Sequence, residues 1–329
     1  MKKKYQALEI NYKKNKHNVS IIDKYFRKLK KNEVLVQIKY SSLNYKDALS
    51  VTGRTKIIRE EILVPGLDFS GIVVESSSKK FVKGEKVLAT GSGLGETMDG
   101  GFSEYAYVPE NILIKIPKNL SLRSSMQIGT AGFTAAISIG KMLLNKQKIN
   151  SGQIIISGAS GGVGSLCINI LNKIGFKTIA ITRNIKQKSY LEKIGANEVI
   201  TYPKELVKKP LNNIYYAGAI DNVGGEILDW IIKSTKDSGN IVSVGMASNY
   251  QLNTTVFPLI MRGVNILGVT STNYPNSERK KIWQKLSTEY KPTKLKTITK
   301  NCINLKEIES FSKYLIKGKS NGRTIIKIS

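Results

Sequence analysis

The stretch Ile154–Leu166, IIISGASGGVGSL, decides the fold. Its isoleucines read as a buried strand. Gly158, Gly161 and Gly164 follow at three-residue spacing, with Gly162 between them, and GVGSLCINILNKIG then has the apolar spacing of a helix beginning near Gly162. Glycine tolerates a positive φ and lets the backbone approach a pyrophosphate closely. The first N–H groups of the helix, and the positive end of its dipole, face such an anion. A second strand, KTIAIT, ends at Thr182 and completes the unit that a dinucleotide site requires. A tight strand-to-helix turn with no ligand is the alternative.

Outward from this unit, strands and helices alternate. Helix KQKSYLEKIG is followed by strand candidates NEVIT, YAGAID and GNIVSVG, the order of a doubly wound parallel sheet of the Rossmann type. The first third is β-rich: EVLVQIKYS alternates, GIVVES follows a Pro-Gly turn, and KGEKVLAT is a turn into a strand. The glycines between Gly84 and Gly101 suit tight turns around a small barrel. SLRSSMQIGTAGFTAAISIGKMLL reads as one helix capped by Ser121. The tail, with helix LKEIESFSKYLIKG and strand GRTIIKIS, is expected to pack back onto the first domain. The expected boundaries are 1–125 for the first part of a β-rich domain, 126–266 for the nucleotide domain and 267–329 for the return.

The end of the second strand selects the nucleotide. An NAD site usually places Asp or Glu there for the ribose 2′-hydroxyl. From Ile181 to Leu191 there is no carboxylate, and Arg183 stands in that place with Lys186 and Lys188 near it. An arginine would pair with a 2′-phosphate, so NADPH is the expected cofactor.

Composition narrows the chemistry. A chain of 329 residues has room for two domains. No apolar run is long enough to span a bilayer, and MKKKYQALEINYKK has no apolar stretch of the kind a secretory signal needs. Cys167 and Cys302 lie in apolar surroundings and read as buried reduced thiols, consistent with a cytoplasmic location. The net charge is +28, but only eight of the 52 basic residues are arginine and the lysines are scattered. That pattern reads as a solvated surface, without the clustered motif of a specific nucleic-acid partner. A nucleotide-binding protein that uses its charge to hold RNA is the reading from a different class. His17 is the one histidine, in a lysine-rich turn expected to be exposed. Neither a zinc constellation nor a Ser-His-Asp triad can be assembled, so metal: none is expected. What survives is metal-free hydride transfer to an already activated acceptor, such as a C=C bond conjugated to a carbonyl, or a quinone.

The blocks SSLNYKDAL, TGRTKIIRE, VPGLDFSG, GGFSEYAYV, IGTAGFTA, SGASGGVGS, YLEKIGA, AGAIDNVGG and GRTIIKI occur in order along almost the whole chain. In them the chain resembles a zinc-free medium-chain dehydrogenase/reductase, of the acryloyl-CoA reductase and NADPH quinone oxidoreductase group. The resemblance implies a GroES-like catalytic domain, an inserted Rossmann domain, a homodimer, and NADPH-dependent reduction of acryloyl-CoA to propionyl-CoA. A quinone or enone reductase is the alternative with the same cofactor. The resemblance implies cofactor contacts at Tyr45, Ser160, Gly161, Gly162, Val163, Thr182, Arg183, Asn184, Tyr202, Met246, Ile260 and Ser271.

The chain departs from the family pattern in two places. The family's arginine after the second strand is displaced by one residue. Ser92 and Met98-Asp99 stand where the family usually has tryptophan and His-Trp, which should reshape that loop. The resemblance puts Tyr45 and Asp47 in the cleft as catalytic candidates. Tyr45 would donate a hydrogen bond or position the ring. Asp47 would orient Tyr45 or Lys46, or serve only as a helix N-terminal carboxylate. Arg279 is a candidate for holding CoA phosphates, against the plainer reading of a helix-surface arginine.

Overall fold

The computed structural model describes residues 3–13, 16–203 and 209–329; Met1 and Lys2 of the basic start lie outside them. Two compact units form. One comprises Met1–Thr130, Ser271–Ser287 and Thr299–Ser329, the other Ala131–Thr270 and Thr288–Ile298. The division falls a few residues beyond the boundaries read from sequence, and the excursion 288–298 has no counterpart in that reading.

In the first unit the chain runs β1 (Lys4–Asn11), β2 (Asn18–Tyr25), β3 (Glu33–Leu43), α1 (Tyr45–Val51), β4 (Ile62–Leu63), β5 (Asp68–Ser76), β6 (Lys86–Thr90), β7 (Tyr105–Pro109) and β8 (Ile114–Lys115), and then enters α2 (Leu122–Leu144). β2, β1 and β4 form one antiparallel sheet. The longest strand, β3, pairs antiparallel with both β5 and β7 and so organises the larger sheet. Its inward residues Val34, Val36 and Ile38 pack with Phe69, Val73, Val87 and Leu94. α2 opens with Ser121 Oγ accepting the Ser124 N–H at 3.0 Å, as a serine cap should. It is not one helix, however. Gly129 adopts φ 53°, ψ −160° and breaks it.

The second unit continues with β9 (Ile154–Ile156), α3 (Gly162–Lys173), β10 (Thr178–Thr182), α4 (Lys188–Lys193), β11 (Glu198–Thr201), β12 (Tyr216–Asp221), α5 (Gly225–Ser234), β13 (Thr235–Ser243), α6 (Phe257–Arg262) and β14 (Asn265–Gly268). The sheet order is β11-β10-β9-β12-β13-β14, with every pairing parallel. Numbered from β9, this is the 3-2-1-4-5-6 order of the doubly wound dinucleotide fold, with the glycine turn at the switch between β9 and β12. Strands covered on both faces must be apolar throughout, and Ile154, Ile155 and Ile156 are fully buried.

The remainder is α7 (Asn276–Ser287), α8 (Leu295–Ile298), β15 (Thr299–Ile303), α9 (Ile308–Ile316) and β16 (Arg323–Lys327). β16 pairs antiparallel with β3, so the final strand returns to the larger sheet of the first unit. Cys302 is exposed rather than buried: β15 is an edge strand whose alternation turns the thiol outward. Cys167 is buried within α3, and burial pushes its thiol pKa up. His17 is half-buried rather than exposed; its Nε2 lies 3.0 Å from the Ser50 carbonyl and its ring packs on Tyr12. Among the described residues no helix is long and apolar enough to cross a membrane.

Candidate active site

The glycine turn has the geometry that a dinucleotide phosphate requires. Gly158 sits at φ 56°, a left-handed value that turns the chain sharply at the end of β9. At Gly164 a Cβ would lie 2.5 Å from the Gly158 carbonyl oxygen and 2.7 Å from Ala159 Cα, so only glycine lets α3 approach the turn this closely. Gly161 is exposed, while Ser160, Gly162 and Val163 are half-buried. These are the three separate jobs of a dinucleotide fingerprint: turn, open approach and helix packing. The turn is also braced from below. Asp221 at the end of β12 accepts Ser157 Oγ–H at 2.5 Å and the Gly224 N–H at 2.8 Å, and burial raises its carboxyl pKa.

At the end of β10, Thr182 is buried and its Oγ1 accepts the Asn184 N–H at 3.2 Å. Asn184 caps the next turn by accepting the Lys186 N–H at 3.0 Å. Between them Arg183 is exposed, and among the described residues no carboxylate pairs with it. Half-buried Tyr202 has its phenol pKa raised by burial, with opposing contributions from the Gly158 backbone and Arg183. Tyr202, Arg183 and the glycine turn therefore converge in space although 44 residues separate Gly158 from Tyr202 in the numbering. An exposed guanidinium with no acidic partner among the described residues carries the charge that a 2′-phosphate pairs with.

Met246 is 71% exposed and borders a cavity of about 310 Å3 at the carboxyl ends of β13 and β14, lined also by Gly224, Leu228, Ser243 and Gly268. Ligands of open parallel sheets bind beyond such strand ends. Ile260, on α6, is 73% exposed.

In the first unit, Tyr45 is the first residue of α1 and 41% exposed. Asp47 is buried. Its Oδ2 accepts the Asn44 N–H at 2.9 Å and the Asn44 amide at 3.0 Å, and its Oδ1 accepts the Leu67 N–H at 3.0 Å. It does not orient Lys46, which pairs instead with Glu96 at 2.6 Å. Its observed role is the N-terminal carboxylate of α1, tied to the loop before β5.

Sequence reasoning missed the cluster around Asp47. Asp68 Oδ1 accepts Ser42 N–H at 3.1 Å and Asp68 Oδ2 accepts Thr130 N–H at 2.8 Å. Arg323 on β16 donates to Asn44 Oδ1 at 3.0 Å and to Ser42 Oγ at 2.6 Å. Its burial lowers its pKa, against the pull of Asp68 and Asp47. The cluster explains the break at Gly129, where a Cβ would sit 2.5 Å from Arg323 Nη2. The available signal was Asp68 and Arg323 themselves, charged residues opening apolar strands.

Arg279 is neither a surface residue nor free for CoA phosphates. It is 1% exposed, and its guanidinium donates to the carbonyls of Thr90 (2.6 Å), Ser271 (2.6 Å) and Thr272 (2.8 Å). Ser271 thus serves as a carbonyl anchor for this clamp. The departures at Ser92 and Met98-Asp99 are absorbed locally. Ser92 takes φ 54° and its Oγ donates to Asn276 Oδ1 at 2.7 Å, while Asp99 pairs with Lys24 at 2.6 Å. Among the described residues no group of three or more His, Cys, Asp or Glu is placed to hold a metal ion.

Residues 30–118 match the family described as alcohol dehydrogenase GroES-like domain, and residues 162–288 match the one described as zinc-binding dehydrogenase. The chain is 37% identical to putative quinone oxidoreductase YhfP of Bacillus subtilis, over 98% of this chain and 99% of that one. It is 36% identical to probable acrylyl-CoA reductase AcuI of Escherichia coli, over 98% and 100%. The yhdH oxidoreductase of Salmonella enterica, solved in complex with NADP, superposes with a TM-score of 0.94 at 35% identity, covering 98% of this chain and 100% of that one. The Bacillus subtilis yhfP structure with NAD bound gives 0.94 at 35% identity, covering 99% of each. Two domain matches and whole-length identity to these relatives make this chain an oxidoreductase of the medium-chain dehydrogenase/reductase family, in the branch that holds proteins named acrylyl-CoA reductase and quinone oxidoreductase.

Proposed function

We propose that the chain reduces the activated C=C bond of a short enoyl-CoA, acryloyl-CoA to propionyl-CoA, using NADPH and no metal. The observation that carries this reading is the end-to-end match to probable acrylyl-CoA reductase AcuI. A C=C bond conjugated to a thioester carbonyl is already activated for hydride addition, so this reading asks no metal of the chain. The proposed contacts of the cofactor are Ser160, Gly161, Gly162 and Val163 at the pyrophosphate, Thr182, Arg183, Asn184 and Tyr202 at the 2′-phosphate end, and Met246, Ile260, Ser271 and Tyr45 elsewhere. NADPH supplies a hydride equivalent when bound. The work of the chain is to hold it, to exclude water, and to place a donor where negative charge develops on the thioester oxygen. Tyr45 is the proposed donor or ring-positioning group, and Asp47 acts through the start of α1.

The second reading, a quinone reductase, is favoured by the 37% identity to putative quinone oxidoreductase YhfP. Steady-state oxidation of NADPH with acryloyl-CoA, crotonyl-CoA and a quinone separates the two. A higher kcat/KM for acryloyl-CoA is expected, and efficient quinone reduction with no thioester turnover overturns the first reading. Exhaustive chelation is expected to leave turnover intact; loss that zinc restores overturns the metal-free assignment.

The partner proposed is a second copy. β14 is an edge of the parallel sheet, and Phe257 and Met261, four residues apart on α6, leave an apolar patch exposed. Light scattering at assay concentration is expected to give twice the monomer mass. A reducing, cytoplasmic location is supported by the two unpaired cysteines.

A further inference from the structure

We propose that Asn44, clamped by Arg323 and Asp68, is the positioning residue for Tyr45. The inference rests on the reading above, in which Tyr45 meets the cofactor or substrate.

Asn44 immediately precedes Tyr45 and holds the extended φ −102°, ψ 161° from which α1 starts. Every polar atom of its side chain is engaged, each by chemistry of the right sign. The carbonyl Oδ1 accepts from the Arg323 guanidinium at 3.0 Å. The amide Nδ2 donates to Asp68 Oδ2 at 3.1 Å and to Asp47 Oδ2 at 3.0 Å. Exchanging the oxygen and nitrogen would set donor against donor and acceptor against acceptor, so the amide has one orientation. The three partners come from three elements: β16, β5 and α1 itself.

This is far more than a seven-residue helix needs at its start. The carboxylate of Asp47 on the Asn44 N–H already supplies a cap. Burying a guanidinium beside two carboxyl groups carries a large desolvation cost, so stability alone is a weak account of the cluster. The surroundings are shaped to keep it. Gly129 leaves the space for Arg323 Nη2 and Asp68 Oδ2, where a Cβ would come within 2.5 Å and 2.9 Å. The consequence is that the backbone leading into Tyr45 is held at Asn44 by Arg323, 279 positions away in the numbering.

A double-mutant cycle on the full chain tests this, with Asn44→Ser, Tyr45→Ala and the pair. Serine still caps α1 but cannot bridge Arg323 and Asp68. The acceptor is acryloyl-CoA or, if only the quinone turns over, the quinone, so failure of the thioester reading leaves the cycle intact. Asn44→Ser is expected to lower kcat about tenfold by misplacing a reacting group. In the Tyr45→Ala background it is expected to cost less than about twofold, since the two residues act as one unit. NADPH affinity, read by fluorescence titration, should stay within about twofold, separating misplacement from lost binding. Equal fold losses in both backgrounds, or no loss from Asn44→Ser, overturn the proposal. A Tyr45→Ala variant with unchanged kcat overturns it together with the role of Tyr45. If Asn44→Ser does not fold by circular dichroism, Arg323→Lys enters the same cycle with the same expected and overturning results, because lysine keeps the charge but lacks the planar fork.

Discussion

Tyr190 donates its hydroxyl to Ser165 Oγ at 2.9 Å, and Ser165 passes a hydrogen bond on to the Ala159 carbonyl at 3.2 Å. A side chain on α4 thereby holds the glycine turn from behind, at a point where burial pushes the phenol up to about 12. Tyr190→Phe removes the donor but keeps the ring. The expected outcome is a loss of about 1 kcal/mol in urea unfolding, the usual net worth of a buried hydrogen bond. NADPH affinity should weaken modestly with it. Unchanged stability and affinity would mean that the turn is held by its glycines alone.

Arg183 is exposed and has no acidic partner among the described residues, so its removal leaves no buried charge behind. Arg183→Ala is therefore expected to leave thermal stability unchanged while raising the Kd for NADPH about 10-fold or more, the worth of one charge-assisted contact. The Kd for NADH should stay the same. Titration of both cofactors against both proteins measures this, and an equal loss for NADH would remove the 2′-phosphate assignment.

The helix-surface reading of Arg279 gives way to a buried clamp, and the two differ in what substitution does. Arg279→Met fills much of the volume but leaves the carbonyls of Thr90, Ser271 and Thr272 without this donor. A loss of about 3 kcal/mol or more is expected in urea unfolding, from the cost of buried polar groups deprived of partners. A surface arginine would cost almost nothing, so a shift within error would overturn the clamp.

The parts of this chain legible in its sequence are those whose cause is local. IIISGASGGVGSL carries its strand, its turn and its helix start within thirteen residues, and the alternation after it dictates a parallel sheet. The return of GRTIIKIS was readable because an apolar strand needs a sheet. What could not be read has causes distant in sequence. Nothing near Gly129 says that its helix must break; the reason is a guanidinium on β16 and a carboxylate on β5. Arg279 sits in a helix of low apolar content, and its three partners are backbone carbonyls, groups every residue carries and side-chain identity does not announce. Cys302 stands between Asn301 and Ile303, and its outward direction comes from the alternation of β15 at the edge of its sheet, which only sheet order reveals.

The buried carboxyl of Asp47 ties stability to pH. Burial first, and the charge of Asp68 second, push it up to about 7, against the N–H groups of Asn44 and Leu67, which favour the ionised form. In an unfolded chain the same carboxyl titrates near ~3.9. Between those values the folded protein holds a proton that the unfolded chain has released. The stabilising contribution is then full below the unfolded value and is lost as pH rises through the folded one. About three units at ~1.4 kcal/mol each limit the effect to about 4 kcal/mol. Asp221, also raised by burial, acts in the same direction. The urea midpoint is therefore expected to fall from about pH 4 to about pH 7 and to level off above that. Asp47→Asn cannot titrate, so its profile should be shallower without being flat. Its absolute stability will drop, because its amide sets Nδ2 against the donors of Asn44 or Leu67, so the slope is the quantity to compare. Parallel slopes in the two proteins would show that Asp47 stays ionised in the fold, held by its three N–H donors against its burial.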